Sequence, residues 1–574
     1  MIKINAAVAM LKVMEAWGID HVFGLPGGSI NSTVDALHSE KERIKYIQVR
    51  NEEGGALAAA AEAKLTGKVS ACFGSAGPGA THLIQGLYDA RMDGAPVLVL
   101  LGQVATGAMN TYGFQELNEN PMFNDVAVYN RTVTSAQNLP LIIDEAIKEA
   151  YEQNGPAVVT IPVDLGFAEI ADGFRPTTAT YQTGVPLPKK EQLEKALPLI
   201  AKAKQPVLYI GQGLRGGFPA IKKFCEHFNM PVAAAVLAKG IVPDDYENFL
   251  GFTGRVATKP GVEALLAADL IICAGSNMPF GRFTFNPKAK FIQIDIDVRK
   301  FGLRHEVDLA IFGDGITALE QLTEMGASRS ADKWLAVSRE NIKNWHAWRH
   351  SFDETDTTPL RVEPVFKELN KIAEEDAIFV SDVGNVTINS VRHIEMNGKQ
   401  GFTTSGWFAT MGYAVPGGIG AQMAFPDKQV ITISGDGGFG MNMQEIITQA
   451  KYDLPIINIV LTNDLLGFIK PEQEQTNRAI YGVDLYDADF GKAAEAMGAE
   501  GFTITSIDQL PLAFAAAKKS HRPVVIEVKT TDEQLIPMDT MKLDPTKFSQ
   551  DEIKAYQEKY VVHDMPSLAE LLQK

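Results

Sequence analysis

QVITISGDGGFGMNMQEIITQAKYDLPIINIVLTN, residues 429–463, decides the fold. QVITIS (429–434) is a short β-rich run, GMNMQEIITQAKYD (440–453) has helical character, and PIINIVLT (455–462) is a second run of buried-strand type. A right-handed crossover returns the second strand parallel to the first, which brings Asp436 and Asn463 to neighbouring strand carboxyl ends. Open α/β sheets bind their ligands on that edge. One carboxylate, one amide oxygen and a nearby backbone carbonyl are hard oxygen ligands suited to Mg2+, which completes its octahedron with waters and phosphate oxygens. Gly435, Gly437 and Gly438 let backbone N–H groups approach a diphosphate at the start of the following helix. Gly-Asp-Gly is also an ordinary turn. Its place between two strands favours a metal–diphosphate site carried on one βαβ unit.

The same rhythm extends outward. YIQV (46–49), SACFG (70–74) and PVLVLLG (96–102) alternate with helical stretches in a first block. PVLYIG (206–211), PVAAAV (231–236), LIICAG (270–275) and FIQIDID (291–297) repeat it in a second. AIFVSDVG (377–384), QVITISG (429–435), IINIVLT (456–462) and PVVIEVKT (523–530) form a third. Strands alternating with helices imply parallel sheets covered on both faces. The Pro/Thr/Gly-rich stretch 172–191 and the polar-ended stretch 326–364 separate the blocks. The expected fold is α/β, with three consecutive doubly wound parallel-sheet domains over 1–180, 190–340 and 360–574.

Composition agrees with a large enzyme. A chain of 574 residues suggests about three domains. Apolar residues make up 45% and charged residues 21%, which is globular. A net charge of −17 disfavours nucleic acid or an anionic membrane surface as the main partner. Cys72 and Cys273 lie in apolar strand-like runs and, with Cys225, read as reduced thiols of a cytoplasmic protein. The amino-terminal INAAVAMLKVMEAWG carries Lys12 and Glu15 within a helical pattern and is a domain helix rather than a secretory segment. No apolar stretch approaches the roughly 20 residues of a membrane span.

A second chemical feature lies in the first block, where YIQVR runs into Asn51-Glu52-Glu53-Gly54-Gly55 and an Ala-rich helix. The ordinary reading is a helix capped by Asn51, with Glu52 and Glu53 complementing its dipole.

The spacing from Asp436 to Asn463 resembles the GDG…NN signature of the thiamine-diphosphate-dependent enzymes, with Thr462 in place of the first Asn. The resemblance implies that Asp436, Asn463 and the carbonyl of Leu465 bind the metal. Arg50-Asn51-Glu52 resembles the family's Arg-His-Glu motif, with Asn51 where His is usual. There the glutamate contacts the aminopyrimidine ring and promotes the imino tautomer that removes the thiazolium C2 proton. GLPGGSI (24–30), GSAGPGATHLIQGLYDA (74–90), FQELNENPMF (114–123), AVYNR (127–131), FATMGYAVPGGIGA (408–421) and GFIKPEQEQTN (467–477) extend the likeness along the whole chain. They resemble the phosphate-dependent, flavin-containing, pyruvate-oxidising branch of that family. Its members have a pyrimidine-binding domain, a central FAD domain and a diphosphate-binding domain. Two subunits build each active site, so a homodimer is the minimum and a tetramer is usual.

Further residues carry over by position. Met411 matches the apolar prop that bends the cofactor, and Val383, Gly384 and Asn385 match the diphosphate-side loop. Phe114 and Gln115 match residues reaching across the subunit boundary, while Phe468 and Glu472 fall near substrate and flavin. The ordinary reading of Phe114 and Phe468 is hydrophobic packing and that of Gln115 and Glu472 a solvated loop face; the resemblance favours the functional one. Gly211, Gly213, Gly275, Ser276, Asn277, Phe280, Asp295, Asp297 and Asp314 lie in segments resembling the FAD site, with Arg255 and Arg304 as phosphate contacts.

The resemblance implies that pyruvate, phosphate and O2 give acetyl phosphate, CO2 and H2O2 through a thiamine-diphosphate enamine that reduces FAD. Acetolactate synthases share the fold but carry a Trp nine residues after the metal-ligating Asn, where this chain has Glu472. A quinone-linked pyruvate dehydrogenase would be expected to carry an amphipathic carboxyl-terminal membrane helix, which VVHDMPSLAELLQK does not resemble. A catalytically silent scaffold is opposed by the presence of Glu52, Asp436 and Asn463 together.

Overall fold

The computed structural model describes residues 3–182, 184–277, 284–532, 543–560 and 564–574. The amino-terminal strand β1 (Lys3–Asn5) precedes a first sheet of β2 (His21–Gly24), β3 (Lys45–Gln48), β4 (Ser70–Gly74), β5 (Val97–Gln103), β6 (Tyr129–Thr132) and β7 (Pro156–Pro162). The short β8 (Glu169–Ala171) returns to pair antiparallel with β1. A second sheet holds β9 (Pro206–Ile210), β10 (Val232–Ala234), β11 (Phe249–Phe252), β12 (Leu270–Ala274), β13 (Lys290–Asp295) and β14 (Leu309–Phe312). The third holds β15 (Ile378–Ser381), β16 (Gly401–Thr404), β17 (Val430–Gly435), β18 (Ile457–Thr462), β19 (Glu500–Ile504) and β20 (Val524–Lys529).

Each of the three sheets is parallel throughout, as the continuous Val/Ile/Leu runs require of strands covered on both faces. The outer sheets share one topology, β3-β2-β4-β5-β7-β6 and β16-β15-β17-β18-β20-β19. The middle sheet differs: its order β11-β10-β9-β12-β13-β14 places the reversal between β9 and β12, the order on which dinucleotides bind.

The crossover expected at 429–463 is present, with Gly435 in register with Leu461. Its helical stretch is broken into Asp436–Asn442 and Glu445–Lys451. The break accompanies a tertiary contact, because the buried Glu445 accepts hydrogen bonds from the Arg50 and Asn51 N–H groups at 2.9 and 3.1 Å. Those bonds tie the diphosphate unit to the start of helix Glu52–Thr66 in the first domain.

That helix packs its alanine face on helix Ala414–Ala424 in a core shared by the outer sheets. Contact is so close that a Cβ on Gly420 would stand 2.0 Å from the Ala58 carbonyl oxygen, so only glycine fits. The middle and third sheets likewise share a core. The last helix, Leu568–Gln573, folds back on the middle sheet's side, where Lys259 Nζ donates to the Pro566 carbonyl at 3.0 Å. All three cysteines are buried, and burial pushes their thiols well above the usual range, so they are unreactive filler. Among the described residues no helix is long and apolar enough to cross a membrane.

Candidate active site

One cavity of about 1230 Å3 runs from the reversal point of the middle sheet to the carboxyl ends of β15, β17 and β18. It exceeds the roughly 300–1,000 Å3 of an ordinary ligand pocket. All three sheets' domains contribute to its wall, from Lys64 and Asp93 through Gly211 and Gly275 to Asp436 and Asn463.

At its third-domain end, Val383, Gly384, Asn385, Gly435, Asp436, Gly437, Gly438, Asn463 and Leu465 come together, with Met411 facing them. Asp436 is held by its own surroundings: Oδ1 accepts from Gly437 N–H at 2.8 Å, and Oδ2 from Asn463 and Asp464 N–H at 3.1 and 2.7 Å. Burial raises its pKa above the ordinary carboxylate range, a cost that a bound cation would remove. Leu465 O accepts one N–H, from Gly467 at 2.8 Å, and keeps a second lone pair. A carboxylate, an amide and a carbonyl at one strand edge fit Mg2+. The described residues contain no cluster of three His, Cys, Asp or Glu side chains that would suit a softer metal.

Glu52 begins the helix Glu52–Thr66 and is only 5% exposed. Asn51 caps that helix through Glu53 N–H at 2.9 Å, so the ordinary reading of Asn51 holds. An imidazole does reach Glu52 from another segment: His82 Nδ1 lies 2.9 Å from Glu52 Oε2. Sequence reasoning missed His82 because it lies a strand and a turn away, in GPGATH. Glu52, Phe114 and Gln115 do not line this chain's own cavity. Phe114 is 88% exposed, and Gln115 has a φ of +64°.

Phe468 and Glu472 do line the cavity. The Glu472 carboxylate pairs with Arg255, whose guanidinium stacks over the Phe468 ring at 5.0 Å. The middle domain thereby reaches the loop that follows the metal-site strand.

The middle-domain end of the cavity gathers Gly211, Gly213, Arg255, Gly275, Ser276, Asn277, Asp295 and Asp314. A Cβ on Gly211 would fall 2.2 Å from Gly275 O, so the two loops of the reversal point approach as a nucleotide cradle does. Asn277 Oδ1 is buried without a partner among the described residues, a waiting acceptor in the cradle. Asp314 also caps helix Gly315–Met325 through Thr317 N–H at 2.8 Å. Asp297 lies off the cavity, its carboxylate occupied by Arg299 at 2.8 and 3.0 Å. Arg304 is set back from the wall and stacks 5.2 Å over Trp407, which lines it. Phe280 lies outside the described residues.

One cavity thus joins the loops at the strand ends of the third sheet to the reversal point of the middle sheet, an arrangement with room for two cofactors. Comparison with known proteins agrees, and the chain belongs to the thiamine pyrophosphate enzyme family. Residues 4–122 match its N-terminal TPP binding domain, 193–322 its central domain and 382–528 its C-terminal TPP binding domain. Within the family, the chain is 43% identical to pyruvate oxidase of Lactiplantibacillus plantarum, over 99% of this chain and 96% of that one. It is 40% identical to the thiamine pyrophosphate-containing protein YdaP of Bacillus subtilis, over 99% of both. It is 31% identical to the acetolactate synthase large subunit of Corynebacterium glutamicum, over 93% of this chain and 88% of that one.

Proposed function

We propose that the protein is a pyruvate oxidase that converts pyruvate, phosphate and O2 to acetyl phosphate, CO2 and H2O2. The observation that carries this reading is the single cavity joining the metal–diphosphate loops to the dinucleotide-type reversal point of the middle sheet. When bound, thiamine diphosphate would supply a carbanion equivalent towards a keto carbon and FAD would supply a two-electron acceptor. The chain's own residues do the rest. Asp436, Asn463 and the Leu465 carbonyl hold Mg2+ against the diphosphate, and Val383, Gly384, Asn385, Gly435, Gly437 and Gly438 shape the cradle around it. Met411, on the cavity wall beside Gly437, would support the cofactor's ring system. Gly211, Gly213, Gly275, Ser276, Asn277, Asp295 and Asp314 receive FAD.

Glu52 moves the proton that activates C2, and His82 orients its carboxylate. In this reading Glu52, Phe114 and Gln115 complete the cavity of a second copy of the chain, in a homodimer or tetramer. Exposed aromatics at Tyr112 and Phe114 support a covered surface there.

Position 472 favours oxidation over the joining of two keto acids. Glu472 offers no apolar shelf for a second keto acid, and its ion pair with Arg255 puts charged groups on that part of the wall instead. Glu472→Trp is expected to lower phosphate-dependent oxygen uptake roughly 10- to 100-fold, the worth of one charge-assisted contact, and to raise carboligation. Unchanged uptake would make Glu472 a solvated loop residue and remove this discrimination.

A further inference from the structure

Residues 405–414, SGWFATMGYA, form a strap between β16 and helix Ala414–Ala424 and place Trp407 and Met411 on the cavity wall. The strap has little regular structure to hold it. It includes Ala409 at φ +58°, a left-handed conformation that alanine disfavours, and Gly412 at +83°. Two buried carboxylates from different domains grip its ends. At the start, Asp93 is 3% exposed and accepts Gly406 N–H at 2.9 Å and Trp407 N–H at 2.8 Å. Its charge is balanced by Lys64 Nζ at 2.6 Å, which also donates to Thr404 O at 3.1 Å. At the other end, the fully buried Asp382 accepts Gly412 N–H at 2.9 Å and Ala414 N–H at 3.2 Å. The same carboxylate accepts Val383 N–H at 2.8 Å, so it also fixes the first residue of the diphosphate-side loop.

We propose that Asp93 and Asp382 are positioning residues that clamp this strap, setting Trp407 and Met411 against the bound cofactors. The proposal rests on the reading of the cavity given above. A buried carboxylate is suited to the task because it only accepts, and each of these receives N–H groups on both oxygens. An asparagine of the same shape turns one oxygen into a donor that confronts a backbone N–H, so the grip is halved without a change of volume. Middle-strap bonds, such as Gln85 Nε2 to Thr410 Oγ1 at 2.6 Å, remain in such a variant and do not reach either end.

The test uses the full-length chain with and without thiamine diphosphate and Mg2+. Hydrogen–deuterium exchange of peptides covering 404–415 is expected to quicken in Asp93→Asn and in Asp382→Asn, with the remaining peptides unchanged apart from the one that carries Val383 in Asp382→Asn. Thiamine-diphosphate affinity, titrated with Mg2+, is expected to weaken about 10- to 100-fold in Asp382→Asn, the usual cost of losing a supporting contact. In a Met411→Ala background the same Asp382→Asn change is expected to cost less than in the parent, because the part that acts through the strap is already lost and only the Val383 contact remains to be broken. Parental exchange rates at 404–415, or losses that simply add in the double variant, would overturn the proposal. If Asp93→Asn fails to accumulate because Lys64 loses a partner, Asp382→Asn decides alone. Failure of the parent to bind thiamine diphosphate would overturn the functional reading instead, while the exchange result would still judge the clamp.

Discussion

Glu52→Gln is expected to slow exchange of the C2 proton of bound thiamine diphosphate by about 10²–10⁴-fold, the range that a positioned acid or base contributes. The substitution preserves shape and the helix start, so cofactor affinity is expected to stay near the parental value. Its environment makes the effect specific: Glu52 is buried at a helix N-terminus and bonded to His82, whereas Glu53 reaches only Asn442 Nδ2 at 3.4 Å. Glu53→Gln is therefore the control and is expected to be mild. Exchange at the parental rate in Glu52→Gln would leave Glu52 as no more than a complement to the helix dipole.

Asp436→Ala is expected to weaken retention of thiamine diphosphate by roughly 100-fold or more while FAD stays bound. Two losses combine. The cation loses its only carboxylate in this constellation, and the N–H groups of Gly437, Asn463 and Asp464 lose the acceptor that draws the two strand ends together. FAD is expected to be spared because the residues proposed to hold it lie on the middle sheet, at the reversal between β9 and β12. Equilibrium dialysis for thiamine diphosphate and the flavin absorbance of the purified variant read the two sites separately. Undiminished thiamine-diphosphate affinity would remove Asp436 from the metal site, and loss of both cofactors would mean that the change unfolds the chain.

The βαβ unit that brings Asp436 beside Asn463 was legible in the sequence because its strands, glycines and both residues lie in one contiguous segment, 429–463. What that segment could not reveal was the break at Met443-Gln444, because Glu445 answers to Arg50 and Asn51, nearly four hundred positions earlier. The strand order of the middle sheet was hidden for a similar reason. Alternation of strands and helices is common to both topologies, and it is the strand pairings, such as β9 with β12 and β10 with β11, that separate a dinucleotide order from its neighbours' order. Asp93, Asp382 and His82 escaped sequence reasoning because their roles depend on contacts between distant segments, as with Asp93 and the N–H groups of Gly406 and Trp407. Asp297 shows the converse: an acidic residue after a strand reads as a ribose ligand, and in the structure its carboxylate pairs with Arg299.

Product analysis bears most directly on the proposed reaction. The purified protein, supplied with thiamine diphosphate, Mg2+, FAD, pyruvate, phosphate and air, is expected to form acetyl phosphate and H2O2 in amounts equal to the pyruvate consumed, with oxygen uptake that ceases when phosphate is withheld. Acetolactate as the dominant product, or oxygen uptake undiminished without phosphate, would contradict it.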